Sequence, residues 1–108
     1  NRSWVTAMQL LAEKIGSLAI KDFTWDVSEG QSKVKKLPLG EGIVDFDVFF
    51  KNLKTFGVVA PMTLHVEHAL LNTEEESLPL LEQQKILVSK LKADVDFIRQ
   101  KLVEHQLN

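Results

Sequence analysis

Two short runs constrain the fold of this chain more than any other feature. Ser17–Phe23 and Met62–His68 alternate apolar and polar residues, and helical periodicities lie before, between and after them. The order is therefore helix, strand, helix, strand, helix, which implies parallel strands joined by a right-handed crossover. In the first run Leu18 and Ile20 share one face, Ala19 and Lys21 the other. In the second, Leu64 and Val66 oppose Thr63, His65 and Glu67. Parallel strands covered on both faces read as apolar throughout, so one face of this pair meets something polar. Two arrangements satisfy that condition. The polar face lines a (β/α)8 barrel, with Lys21, Asp22, Glu67 and His68 at the carboxyl ends of the strands, where catalytic groups of barrels stand. Alternatively, it is the wet side of a two-layer domain, with Lys21 and Glu67 an ordinary cross-strand pair.

The flanking segments carry clear start and stop signals. Trp4, Met8, Leu11 and Ile15 form one helical stripe behind Ser3 as N-cap, and Gly16 sits where a left-handed stop belongs. Residues 24–44 read as a long loop, in which Thr24–Val27 and Lys33–Lys36 flank Ser28-Glu29-Gly30-Gln31 as a small β-hairpin. Asp45 caps a second helix whose apolar face is Phe46, Phe49, Leu53 and Phe56, with Gly57 closing it. Glu74–Glu76 suit a helix start. A long final helix carries Leu80, Leu87, Leu91, Val95, Ile98 and Leu102, with Gln84 and Asp94 interrupting any heptad repeat. The expected elements are helix 3–15, strand 17–23, helix 45–56, strand 62–68 and helix 78–105, in one partial domain over 1–108.

Composition then removes several function classes. A chain of 108 residues is at most one domain. Without Cys there are no thiolate metal sites, disulfides or cysteine nucleophiles. A net charge of -2 lacks the basic excess that nucleic acid demands. No apolar run approaches the roughly 20 residues of a membrane span.

The run Pro38-Leu39-Gly40-Glu41-Gly42-Ile43-Val44-Asp45-Phe46, with Lys21-Asp22 before it and a strand ending in Glu67 after it, resembles the xylose-isomerase-like TIM-barrel superfamily of sugar phosphate isomerases and epimerases. Members carry a strand ending in His-x-Lys-Asp, a Pro-x-Gly-x-Gly-x-(Val/Ile)-Asp loop and a last strand ending in Glu. The resemblance implies an α/β chain that is the C-terminal portion of a TIM barrel of about 250 residues, holding its seventh and eighth strands. A chain that begins at Asn1 with a helix almost at once agrees with that expectation.

The same resemblance implies site roles. Glu67 matches the catalytic, metal-binding carboxylate, which would hold Mn, Mg, Co or Zn, and Lys21 and Asp22 match substrate contacts. Trp25 is placed to stack on a sugar ring or to anchor the hairpin. His65 shares Glu67's face about 6.6 Å deeper along the strand, and is also taken as substrate-facing. His68 and His105 read as structural and solvated, respectively. Lys33, Lys35 and Lys36 read as a solvated hairpin face. Ala19 departs from the family, standing where many members place a metal-binding His. The expected ligand is a sugar or sugar phosphate, turned over through an enediolate or hydride shift, with the isolated chain inactive and its open strand edges driving homo-oligomerisation. The alternative is a non-catalytic carbohydrate-binding barrel that has lost the ion. The abasic-site endonucleases of the same superfamily fit less well, because no Asp-Arg-His run precedes Gly40.

Overall fold

The computed structural model describes residues 3–28 and 30–107, so Glu29 of the expected hairpin turn lies outside the described residues. Helix α1 (Ser3–Leu11) begins with Ser3 in its first turn and tightens into a 3-10 turn at Ala12–Lys14. Gly16 does not stop it. The turn ends on extended Ile15 (φ -76°, ψ 115°), whose N–H donates to the Ala12 carbonyl, and Gly16 has no positive φ.

The expected strand 17–23 is two strands. β1 (Leu18–Ile20) pairs in parallel with β4 (Met62–Leu64), joining Leu18 to Met62 and Ile20 to Leu64. β2 (Asp22–Ser28) turns away at Lys21 and pairs antiparallel with β3 (Gln31–Leu37), Trp25 facing Val34. Alternation runs straight through Ile20 and Asp22, both buried, which is why the sequence reads as one strand. The run 62–68 is likewise shorter than expected, since pairing stops at Leu64 and its last bond is the His65 N–H to the Ile20 carbonyl.

Helix α2 (Phe46–Thr55) starts where Asp45 accepts from the Val48 N–H at 3.1 Å, and Gly57 (φ 67°) follows it in the left-handed region. Phe46, Phe50 and Leu53 recur along its inner face and build the core with Met8, Ile20, Leu39 and Val58. Phe50, not Phe49, is the fully enclosed ring. A one-turn helix α3 (Thr73–Glu76) is capped by Asn72 and Glu75 reciprocally, as the acidic run suggests. Helix α4 (Leu80–Glu104) lays Phe97, Ile98 and Leu102 on the core, with Phe97 edge-on to Phe46 at 5.3 Å. Along its first half Leu80, Leu81 and Val88 are exposed, while Gln83 and Lys90 bond back to the 75–78 segment.

Among the described residues the architecture is mixed α/β, with four α-helices, a two-stranded parallel sheet and a separate hairpin. The parallel pair covers only one face. Ile20 is buried against the core, whereas Ala19 and Thr63 on the opposite face are open. The accessible surface is 7728 Å², about a quarter above the roughly 6,100 Å² expected of a compact chain of this mass. The radius of gyration is 16.4 Å, against about 13 Å for a compact domain of this length.

One buried carboxylate ties these pieces together. Asp22 is 1% exposed. It accepts from the N–H groups of Phe23 at 2.9 Å, Gly40 at 3.0 Å, Gly42 at 2.8 Å and Val44 at 3.2 Å. A Cβ on Gly42 would collide with this carboxylate, and one on Gly40 (φ 86°) would come within 2.7 Å of the Phe97 ring. The Gly-x-Gly spacing thus reflects a backbone wrapped around Asp22. A second buried carboxylate, Asp94, accepts from the Leu39 N–H at 3.1 Å and from His68 Nε2 at 3.2 Å, fastening α4 to the start of the same loop. Replacing Asp22 by Ala orphans these donors, and each buried unpaired group costs about 1–3 kcal/mol. Asp22→Ala is expected to lower the unfolding free energy by about 3 kcal/mol or more. Urea titration checks this, and a loss under about 1 kcal/mol would rule out the role.

Candidate functional site

The carboxyl ends of β1 and β4 gather four polar side chains from three stretches of chain. Lys21 and His65 follow directly on the Ile20–Leu64 pair, and Glu67 lies two residues beyond His65. Lys36 arrives from β3, opposite Phe23 in the hairpin register. The Lys36 ammonium lies 3.0 Å from Glu67 Oε2, the Lys21 ammonium 3.5 Å from Oε1 and His65 Nδ1 3.7 Å from Oε1. All four are partly open to solvent. The hydrogen bond from Lys36, reinforced by the charge of Lys21, holds the Glu67 carboxyl below its ordinary value.

Lys21, His65 and Glu67 are therefore brought together, as the alternation anticipates. Asp22 is not with them. Both its oxygens receive backbone N–H groups inside the loop, so it has no face to offer a substrate. Trp25 is 55% exposed on the hairpin, its ring edge-on to Phe23 at 6.0 Å, and alternation sets it on the hairpin face that carries Lys36. His68 is buried against Asp94, as a structural residue. Lys36 is the member that sequence reasoning assigned to a solvated face. Its only advance signal was its place across from Phe23 at the foot of the hairpin.

The donor set does not suit a divalent ion. Both oxygens of Glu67 already face ammonium groups, whose charge opposes a second cation, and Ala19 offers no ligand atom. A different group, Asp47, Glu104 and His105, has ligand atoms within 4.8 Å of one another. There the cation's place is taken by Lys101, whose ammonium lies 2.9 Å from Asp47 and 3.2 Å from Glu104. His105 Nε2 adds a contact to Asp47 at 3.0 Å, so this residue joins α4 to α2 instead of lying free in solvent. An apolar groove of about 500 Å³ beside α1 and α2, lined by Trp4, Phe23, Ile43, Val44, Val48 and Phe49 with Asp45 at its edge, contains none of the strand-end charged groups.

Among the described residues, no helix is long and apolar enough to cross a membrane. Comparison of the chain with protein-family models, with curated proteins and with solved structures found no match.

Ion pairs at three carboxyls contribute to the acid response. Lys36 lowers Glu67, Lys101 and then His105 lower Asp47, and Lys90 followed by the Asn72 N–H lowers Glu75. Each carboxyl stays ionised in the fold to a lower pH than in the unfolded chain. Their stabilisation is present above the ordinary values of 4.5 for Glu and 3.8 for Asp, and is lost as pH falls through the lowered folded values. Melting temperature should hold steady down to about pH 5 and drop below it. Lys36→Gln should make that drop shallower, and an unchanged acid limb would show that the pair contributes nothing.

Proposed function

We propose that this chain is the carboxyl-terminal portion of a TIM-barrel protein of the sugar isomerase or epimerase type. Its part in that protein is to hold a small hydroxylated ligand, a sugar or sugar phosphate, over the carboxyl ends of β1 and β4. The observation that carries this reading is the convergence of Lys21, Lys36, His65 and Glu67 at that end of a parallel strand pair, the end at which α/β folds bind ligands. Two further features support it. Parallel sheets are ordinarily covered on both faces, yet Ala19 and Thr63 face outward with no layer over them. Each strand of the pair also has one unpaired edge among the described residues, as neighbouring staves of an unclosed barrel would.

The cluster suits carbonyl–hydroxyl chemistry without a metal. An ammonium donates a hydrogen bond to the carbonyl oxygen of an open-chain sugar, and the Glu67 carboxylate takes the proton from the adjacent carbon, giving an enediolate. Return of that proton to the former carbonyl carbon, with the hydroxyl proton passing between the two oxygens, completes an aldose–ketose exchange. A second reading, a carbohydrate-binding barrel without turnover, is favoured by one observation. The lysines that lower Glu67 also make it a weaker base.

Titration of the ¹⁵N-labelled chain with a ketose, an aldose and their phosphates tests the binding. Amide shifts are expected at residues 20–22, 36–37 and 65–68, and Glu67→Gln should weaken the affinity about tenfold, the loss of one charge-assisted bond. Ligands that leave those amides unmoved would refute the reading. Deuterium uptake from D2O at the carbon beside the carbonyl separates turnover from binding alone.

A further inference from the structure

In the barrels this chain resembles, a metal ion supplies positive charge at the strand ends; the residues present here supply it differently. Lys21 stands at the junction of β1 and β2, and Lys36 near the end of β3, on the hairpin face shared with Phe23 and Trp25. Both turn their ammonium groups onto one carboxylate, at 3.5 and 3.0 Å. Two ammonium groups against the Glu67 carboxylate sum to a net charge of +1, within a chain whose formal charge is -2. Neither ammonium is used up. The Lys21 side chain is 51% exposed and that of Lys36 46%, so each of the three-donor groups keeps hydrogens directed away from Glu67.

Resting on the reading of the strand ends as a ligand site, we propose that Lys36 is a ligand-binding residue. With Lys21 it forms an oxyanion-binding pair that takes the carboxylate or phosphate group of a small hydroxylated molecule. Glu67 holds the two ammonium groups side by side, a positioning task that a solvated ion pair would not need. The hairpin then has a purpose beyond connection: it carries a cation some fifteen residues past β1 in sequence back to the ends of β1 and β4.

Inorganic phosphate, gluconate and glucose are the probes, each titrated into the full chain at about 10 mM ionic strength, where screening extends over about 30 Å. Binding is followed by the shifts of the lysine Cε–Hε signals and the residue 65–68 amides. Phosphate and gluconate are expected to move Lys21 and Lys36 together. Lys36→Gln and Lys21→Gln should each weaken binding about tenfold. Lys33→Gln, on the same strand but paired with Asp26 on the opposite hairpin face, should leave it unchanged. Phosphate favoured over gluconate marks the ligand as a phosphate ester, and the reverse as a sugar acid. Equal affinities in Lys36→Gln and Lys33→Gln would overturn the proposal, as would neither anion binding. Glucose alone moving the site would overturn the oxyanion pair but leave the sugar-site reading standing. Anions bound at the lysines, with no sugar or sugar phosphate bound and no deuterium uptake, would do the opposite.

Discussion

The Asp22 carboxylate is the constraint on which the rest of the structure depends. A buried carboxylate is costly unless its oxygens are satisfied, and here the N–H groups of Phe23, Gly40, Gly42 and Val44 converge on it. The last three of those donors come from a loop that would otherwise have nowhere to place its backbone polar groups. Gathering them brings Leu39 into the core and sets the start of α2 at Asp45. The Phe23 carbonyl receives the Ile43 N–H at 2.8 Å, so the same loop is tied to the foot of the hairpin. Asp94 repeats the device from the other side through Leu39 and His68. Between them, two carboxylates join β2, the glycine loop, α4 and the segment after β4.

This wiring has a consequence for the strand ends. Lys21 lies between Ile20, paired to β4, and Asp22, locked in the loop. Its backbone is therefore held from both sides, although its side chain is half exposed. The anchored β2 in turn sets β3 by register, placing Lys36 across from Phe23. Backbone pairing thus fixes where the Lys21 and Lys36 side chains project from. A site held this way keeps its charges near one another without burying them, a modest electrostatic gain in water but a useful geometry for a ligand.

Much of this was legible in the sequence, and the reasons are local. Alternation in 62–68 correctly set His65 and Glu67 on one side, and Asp45 and Gly57 mark the ends of α2 because capping chemistry involves near neighbours. The Gly40-x-Gly42 spacing announced a special backbone. What it could not announce was the reason, since the occupant of that backbone, Asp22, is 18 and 20 residues away. Asp22 read as a substrate contact for the same cause: an acidic residue at a strand end looks functional until its partners are seen. Asp94 looked like a break in an apolar stripe. An acid inside such a stripe is better taken as a sign of a buried hydrogen-bonding partner, supplied here by Leu39 and His68. Lys36 left only its register across from Phe23 as a signal, because its partner Glu67 is far along the chain.

The bare face of the parallel pair bears on how far the two remaining architectures differ. In a two-layer domain Ala19, exposed at the centre of the open face, is ordinary, because single small apolar residues are common on a solvated surface. In a barrel interior a small residue beside larger ones is ordinary, because inward-pointing side chains must interdigitate in layers. The described chain also carries an excess of surface. It amounts to about 1,600 Å², comparable to the total area buried in a standard protein interface, and it includes the apolar residues Leu80, Leu81 and Val88 on the first half of α4. Solvent is a poor partner for that stripe, while a neighbouring stave or helix would cover it. The charged strand ends, by contrast, are already internally balanced apart from one positive charge. The apolar stripe is thus the surface that calls for protein, and the strand ends the surface that calls for a small anion.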